Sequence, residues 1–408
     1  MAWTFPPELD DIILDHLHDD ALSLSRCALV QRSWLPTARY HFWNHLRLNC
    51  TATELNKLRA LLDSSDVGYY VQTVSVLQKK GEACQWYDLN LLHHTLSVLS
   101  KLPSMTHLIL DGLWFGAPKG AEPTSIVVSP SVRKLTVSTC SFDNFEDVQQ
   151  LCRAFPSLAR VQFDGVWWGR WASELSLERA AELELSARAI ALRELDLGSC
   201  FSRDRVIEWL LTAVPRDSIE TLRLPLVSPQ DTRLKELLAS VSRSLRHLEI
   251  GSPSTCHSAV RAGAGPEQRL ESYLDLSKNR SLRSITLGVP TYRDPEFINT
   301  WLRSILTQIA SSDLEEIRFA VYPILRGDAA DAENMLASFG WSDMAKLLDS
   351  PRFASVRKVT FTSGRKTDYT QIPGAFVPLT PLLQKVIPRF FDVGWLGRSG
   401  INLAFQCI

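Results

Sequence analysis

The sequence predicts an α/β fold in which a module of three short helices precedes an irregular array of strand–helix repeats. Ten copies of the phrase apolar-x-x-apolar-x-apolar lie between Val71 and Phe361, and each predicts a short strand. The segments between these copies place apolar residues at helical spacing. The series of ten copies starts after residues 1–48, which instead hold three short apolar segments and predict a separate module.

The first apolar segments predict three helices. Pro6 and Pro7 suit the first turn of a helix whose apolar face includes Leu9, Ile13 and Leu17. The apolar positions expected on the second and third helices are Leu24, Cys27, Ala28, Val30, Tyr40 and Trp43. So small a module has more apolar side chains than it can bury, which predicts a partner protein. The alternative is that these side chains cap the open end of the repeats.

The repeated phrase defines the array. Its copies start at Val71, Met105, Val132, Leu158, Leu192, Ile219, Leu245, Leu282, Leu314 and Val356. Alternation along each strand directs positions one, four and six inward and positions three and five outward. Between the copies, Asp143 with Glu146 predicts a capping box at the start of one helix. One strand plus one helix per unit resembles a leucine-rich-repeat solenoid. A generic α/β protein with alternating strands and helices is the alternative.

The spacing of the copies indicates where the array is irregular. Long spacers near 252–281 and 323–352 predict longer helices or loop insertions. Residues 380–408 predict an amphipathic helix and a last strand, INLAF, that close the array. The predicted domains are therefore residues 1–48 and 49–408, with a C-terminal cap from about 380.

Composition and charge exclude several classes of protein. The chain is 45% hydrophobic and 22% charged, which is typical of a globular protein. Its net charge of −1 gives no support for a nucleic-acid or membrane-surface partner. The sequence lacks an apolar run long enough to span a membrane, and its acidic start is unlike a signal or transit peptide. Eight scattered cysteines without a CxxC motif predict reduced thiols and a cytoplasmic or nuclear location, or both.

Motifs for catalysis were sought along the whole sequence. It contains no GxSxG, GxxxxGK[ST], GxGxxG or HExxH motif. His41 and His45 are four residues apart, but no cysteine or carboxylate stands at ligand spacing beside them. We therefore expect a protein that is not an enzyme and that needs no metal or cofactor.

The first helices resemble an F-box, the three-helix module that docks onto the adaptor subunit of cullin-based ubiquitin ligases. The matching stretches are FPPEL from Phe5 and VQRSW from Val30, and the whole segment resembles the fungal F-box type. The chain has Phe5 where the family usually has Leu, and Gln31 where Cys is common. The adaptor-binding residues that the resemblance implies are Phe5, Pro6, Glu8, Leu9, Ile13, Leu17, Val30 and Trp34.

Together, the two resemblances imply the substrate-recognition subunit of an SCF-type ubiquitin ligase. The F-box-like module would bind the adaptor and, through it, a cullin, while the repeats would bind a target protein. Candidate target-binding residues are the outward strand positions Arg160, Glu194, Asp196, Arg223, His247, Glu249 and Arg318, with Trp114, Trp167, Trp168 and Trp171. These tryptophans could instead fill junctions between repeats. The alternative function is an interaction scaffold outside any ligase.

Overall fold

The computed structural model describes residues 6–78, 86–116, 129–169, 190–198, 200, 203–228, 231–251, 274–290, 294–322, 329–363, 379–391 and 402–407. The chain is an α/β protein that forms two compact units, Met1–Ala191 and Leu192–Ile408. Each unit contains an extended parallel sheet. The predicted α/β class is thus confirmed.

The first unit begins with three helices, as the apolar segments predicted. These are α1 (Pro7–His16), α2 (Ala21–Val30) and α3 (Leu35–Asn44). The Asp20 side chain caps α2 by accepting hydrogen bonds from the backbone of Leu22 and Ser23. Leu14, Leu24 and Ala38 are the fully buried residues of this helical cluster. Leu14 was not predicted to face inward, because Leu9 and Ile13 dominate the apolar pattern.

Strands and helices then alternate through the rest of the first unit. In chain order the elements are β1 (His45–Asn49), α4 (Ala52–Ser64), β2 (Thr73–Leu77), β3 (Trp86–Asp88), α5 (Leu89–Leu99), β4 (His107–Asp111), β5 (Trp114–Gly116), β6 (Lys134–Ser138), β7 (Ser141–Phe142), α6 (Phe145–Arg153), β8 (Arg160–Asp164) and β9 (Trp167–Trp168). The main sheet has the order β1-β2-β4-β6-β8, and a second sheet has the order β3-β5-β7-β9. All pairs in both sheets are parallel. β1 was not predicted, and it follows α3 without a linker.

The second unit also consists of strands and helices. In chain order these elements are β10 (Glu194–Leu197), α7 (Arg203–Ala213), β11 (Thr221–Leu224), α8 (Leu234–Ser240), β12 (His247–Ile250), β13 (Ser284–Pro290), α9 (Pro295–Gln308), β14 (Glu316–Tyr322), α10 (Ala329–Ser338), α11 (Trp341–Leu348), β15 (Lys358–Ser363), α12 (Leu379–Val386) and β16 (Asn402–Cys407). Its strands β13 to β16 have six or seven residues each. The strands pair in chain order from β10 to β16, and all pairs are parallel. The predicted last strand is confirmed as β16.

All ten predicted strands are present, and each begins two residues after the first apolar residue of its phrase. Val71 and Val356 illustrate the reason, because both are buried just before β2 and β15 begin. The first apolar position therefore anchors the turn that enters the strand. The fourth and sixth positions are the inward residues of the strand itself, such as Val74 and Val76 in β2.

Two local predictions need correction or completion. The capping box of α6 is formed by Asn144 and Asp147, one residue later than the predicted pair Asp143 and Glu146. Asn144 Oδ1 accepts from the Asp147 amide at 3.0 Å, and the Asp147 carboxylate accepts from the Asn144 amide. Within the predicted insertion at 323–352, the described part contains α10 and α11. The greater part of the other insertion lies outside the described residues.

The capping carboxylate leads to a pH-dependent prediction. Burial, together with the smaller effect of the negative charges of Asp143 and Glu146, raises the pKa of Asp147 from 3.8 to about 6. Because the folded protein disfavours the ionised carboxyl, Asp147 should lower the free energy of unfolding as the pH rises from about 4 to about 6. Asp147→Asn should remove this decline, on the order of 2 kcal/mol. Urea unfolding of both proteins at pH 4 and pH 7 measures it. A stability difference that is constant over this range would contradict the prediction.

Candidate functional site

Helix α1 presents two different faces. Leu14 is fully buried, and Leu17 packs against the same cluster. Leu9, Ile12 and Ile13 lie on another face, where they are 45%, 51% and 42% exposed. This second stripe results from the i, i+3, i+4 spacing of its residues. Three large aliphatic side chains on one turn of helix therefore remain accessible.

The other predicted adaptor-binding residues occupy both exposed and packed positions. Pro6 and Glu8 are exposed, and Val30 is 71% exposed at the end of α2. Trp34 is half-buried against the cluster of Leu14, Leu24 and Ala38. Phe5 lies outside the described residues. Further exposed apolar side chains that were not predicted as site residues are Leu22, Leu29, Tyr40 and Phe42.

Two polar contacts hold α1 against α3. The Thr37 hydroxyl donates to Asp11 Oδ1 at 2.8 Å, and His41 Nε2 lies 2.7 Å from Asp15 Oδ1. These contacts fix the direction in which the exposed stripe of α1 points. His41 is thus engaged with a carboxylate on another helix, and its predicted neighbour His45 contacts Ser75 at 2.7 Å.

The outward face of the main sheet in the first unit begins with a row of polar side chains. Strand register aligns His45, Thr73, His107, Lys134 and Arg160 across five neighbouring strands. Burial, together with the smaller effects of the nearby Lys134, His45 and Arg160, lowers the pKa of His107 to about 4. His107 is therefore neutral at pH 7.

Not every outward position in these strands is accessible. Ser75, Thr136 and Thr360 were predicted to face outward, but they are buried. The histidines of the neighbouring strands explain two of these cases, since His45 contacts Ser75 and His107 contacts Thr136 at 3.0 Å. Long side chains in one strand thus cover short ones in the next.

In the second unit the outward row is a network of paired charges. Arg223 lies 3.6 Å from Glu194 and 3.7 Å from Glu249, so it joins three strands. Asp196 is half-buried beside them, and the exposed His247 contacts the Ser284 hydroxyl at 2.7 Å.

Further along the same row, Glu316 forms a second group of contacts. Its carboxylate lies 3.1 Å from Lys358 and 3.2 Å from Arg318. The hydroxyl of the buried Thr360 donates to it at 2.9 Å. The candidate residue Arg318 is therefore one member of a mixed-charge surface that contains both signs.

The candidate tryptophans are divided between the surface and the core. Trp167 is 59% exposed and Trp114 is half-buried. Trp168 was also a candidate for target binding, but it is buried against Phe145 with ring centroids 5.0 Å apart. The reason is strand alternation, which sends neighbouring residues of β9 to opposite faces. Trp171 lies outside the described residues.

Metal and membrane sites were sought in the described part of the chain. It contains no group of three or more His, Cys, Asp or Glu side chains that could hold a metal ion. Among the same residues, no helix combines the length and apolar character needed to cross a bilayer.

Comparison with known proteins adds no family to this description. No protein-family model matches the chain, and no curated protein sequence matches it.

Proposed function

We propose that this chain is the substrate-recognition subunit of an SCF-type ubiquitin ligase. Helices α1 to α3 are an F-box-like module that docks onto the adaptor subunit, and the adaptor connects the chain to a cullin. The strand–helix repeats are a degenerate leucine-rich-repeat solenoid whose outward strand faces bind the target protein. The chain itself makes no bond, and it acts by bringing target and conjugating machinery together.

One observation carries the proposal. Eight of the ten large hydrophobic residues found exposed in the described structure lie between Leu9 and Phe42. Isolated surface apolar residues need no explanation, but such a concentration on one small module is typical of a protein-binding surface. The module's own core has only three fully buried residues among those described, so more of its large apolar side chains are exposed than are buried.

The exposure also favours docking over capping. A module that only covers the end of the repeats would bury the Leu9 and Ile13 stripe within the chain. Both side chains are instead more than two-fifths exposed, whereas Leu14 supplies the intramolecular contact. The stripe that is accessible is also the one that the F-box resemblance assigns to the adaptor.

Leu9→Asp with Ile13→Asp is expected to abolish a one-to-one complex with the adaptor subunit. Each change removes about 1 kcal/mol or more of apolar burial at the interface, so affinity should fall by at least about 30-fold. The fold should be retained, because surface substitutions usually change stability by about 0.5 kcal/mol or less. Co-expression followed by size-exclusion chromatography and calorimetry measures both effects.

Tyr69→Asp is the matched control, because Tyr69 is an exposed large side chain outside the three helices. It should leave the complex intact. If folded wild-type chain forms no complex with the adaptor, the docking proposal is wrong. If the complex forms but cannot incorporate a cullin, the chain is a scaffold outside the ligase.

A further inference from the structure

Two turns of the second unit have the same sequence. The segment RSLR occupies residues 243–246, just before β12, and again residues 280–283, just before β13. In both copies the leucine, Leu245 or Leu282, is fully buried, whereas both arginines are exposed. This leucine is the first apolar position of the repeated phrase, so it anchors the turn that enters the strand. Four exposed arginines therefore stand at the start of two strands.

The two turns are neighbours in the sheet. β12 and β13 pair in parallel, and the Arg283 amide donates to the Arg246 carbonyl at 2.8 Å. Neighbouring strands lie about 4.8 Å apart, which is the separation expected between the backbones of these two residues. Three residues span at most about 10 Å, so Arg243 and Arg280 lie within that distance of Arg246 and Arg283. We call these four residues the arginine cluster.

Buried polar groups hold the second turn in place. The hydroxyl of the buried Ser311 donates to the carbonyls of Arg280 and Leu282, at 2.8 Å and 2.7 Å. Asn279 is 1% exposed, and its side chain donates to the Leu238 carbonyl at 3.0 Å. The backbone of this turn is therefore fixed before any partner binds, which limits the ordering cost of binding to side chains.

The positive charge of the arginine cluster is not compensated within the described structure. Among the residues that it covers, the four arginines form no ion pair and no side-chain hydrogen bond. Asp217 accepts from the Arg243 backbone amide at 2.9 Å, and Asp275 lies 3.6 Å from Lys235. The exposed Lys278 adds a further positive charge.

This arrangement indicates an anionic partner. Like charges on neighbouring strands are destabilising, so the cluster costs folding stability. The whole chain has a net charge of −1, so the positive charge is a local feature of this surface. A concentration of one sign on a chain that is nearly neutral attracts partners of the opposite sign.

The neighbouring strands limit the width of the basic surface. The second position of the repeated phrase is Arg246 before β12 and Arg283 before β13. One strand further on either side, the same position is Glu220 and Glu315. A nucleic acid or a membrane presents a longer run of negative charge, which would meet these glutamates. The surface therefore favours a short anionic segment.

The distribution of the arginines favours several carboxylates over one phosphate group. A phosphate offers its charge at one point, whereas the cluster places arginines both along and across the strands. In an extended peptide, side chains on the same side follow one another at about 6.6 Å. Carboxylates at alternate positions of such a peptide can therefore reach arginines in both directions.

We propose that the arginine cluster binds an extended acidic segment of the target protein, with carboxylates at alternate positions. Guanidinium groups donate forked hydrogen bonds to carboxylates, which gives these contacts both strength and direction. The cluster also continues the outward row, because the exposed candidate residue His247 directly follows Arg246. This inference rests on the proposed function, since the segment would belong to the captured target, and it adds the chemistry of that target.

Rhodamine-labelled peptides test the arginine cluster on the full chain without the adaptor. The acidic probe is a short peptide in which glutamate and threonine alternate, and the matched neutral probe has glutamine in place of glutamate. Fluorescence anisotropy should show that the acidic probe binds at least about tenfold more tightly than the neutral one. Raising the salt from about 50 mM to about 300 mM should weaken this binding severalfold, because the charges are exposed.

A pair of double variants tests which arginines are involved. Arg246→Gln with Arg283→Gln should weaken binding of the acidic probe at least about tenfold. The control is Arg205→Gln with Arg303→Gln, which removes two exposed charges from helices α7 and α9 of the same unit and should change affinity by less than about twofold. In urea unfolding, the first variant should be at least as stable as wild type, because it removes like charges from neighbouring strands. A clear loss of stability in this variant alone would show that the arginines support the fold and would contradict the inference.

Several binding results would overturn the inference. They are equal binding of the neutral probe, undiminished binding by the Arg246→Gln with Arg283→Gln protein, and an equal loss in the control variant. Tighter binding of a peptide with one phosphoserine and no glutamate would assign the cluster to phosphate, and tighter binding of a single-stranded DNA oligomer would assign it to nucleic acid. Either result would overturn the assignment to carboxylates.

The same measurements separate this inference from the proposed function. A chain that binds the adaptor but not the acidic probe would refute this inference alone. A chain that binds the acidic probe but not the adaptor would refute the ligase role and leave the arginine cluster intact.

Discussion

Arg203→Met is expected to destabilise the second unit by about 3 to 5 kcal/mol at neutral pH. Arg203 and Asp231 are 7% and 6% exposed, and their charged atoms are 2.5 Å apart. Burial raises the pKa of Asp231 above its usual value, although the charge of Arg203 acts in the opposite direction. Without the guanidinium, the protein must bury an uncompensated carboxylate or protonate it. Urea unfolding at pH 7 measures the loss.

The same ion pair connects segments that are distant in sequence. Arg203 Nη2 donates to the Gly198 carbonyl at 2.8 Å, and the Ser228 amide donates to Asp231 Oδ2 at 2.7 Å. The residues that follow β10 and β11 are thereby tied to the start of α7. Removing Arg203 should loosen all three segments together.

Two comparisons separate the charge from the packing. The destabilisation of Arg203→Met should shrink at pH 4, where the Asp231 carboxyl gains a proton more readily. The double variant Arg203→Met with Asp231→Leu should recover most of the lost stability, because an apolar pair leaves no buried charge. A double variant that is less stable than Arg203→Met would show that the pair stabilises the fold beyond neutralising its own charges.

Gly251→Ala should also destabilise the second unit strongly, by about 3 kcal/mol or more. Gly251 follows β12, and a Cβ atom there would overlap the backbone carbonyl of Pro225. The obstacle is backbone, which cannot rotate away as a side chain can. The Gly251 amide also donates to the Leu224 carbonyl at 2.7 Å, so a shift would break the contact that extends the β11–β12 pair.

Amide hydrogen exchange in β11 and β12, together with urea unfolding, measures this effect. Gly68→Ala is the matched control, because a Cβ at Gly68 has its nearest contact at 3.4 Å, an ordinary van der Waals distance. That variant should stay close to wild type. Wild-type exchange rates in Gly251→Ala would show that the chain can separate Gly251 from Pro225 at little cost.

The strand positions were predictable because they depend on a local rule. Apolar residues at positions four and six of each phrase must face inward, and alternation then fixes the rest of the strand. β1 escaped prediction because its copy of the phrase, WNHLRL from Trp43, overlaps the end of α3, and Trp43 was assigned to the third helix. The α6 cap was misplaced by one residue because two candidate pairs, Asp143 with Glu146 and Asn144 with Asp147, have the same three-residue spacing.

The candidate sites were only partly predictable. The exposed stripe of Leu9 and Ile13 agrees with the predicted docking positions, but the sequence did not indicate that Leu14 is the core residue. Trp168 could have been excluded from the tryptophan candidates. It lies two residues after Val166, so both side chains point to the same, buried side of the strand. The two RSLR segments are visible in the sequence, but only strand pairing shows that they are neighbours.

By itself, therefore, the sequence determined the repeated strands, the first three helices and the high number of apolar residues between Leu9 and Phe42. Only the tertiary structure decided which stripe of α1 stays exposed, that Arg203 is buried against Asp231, and that the two RSLR turns lie side by side. The physical reason is the range of the interactions. Periodic apolar burial acts between residues a few positions apart, whereas buried charge pairs and strand register join residues that are 28 to 37 positions apart.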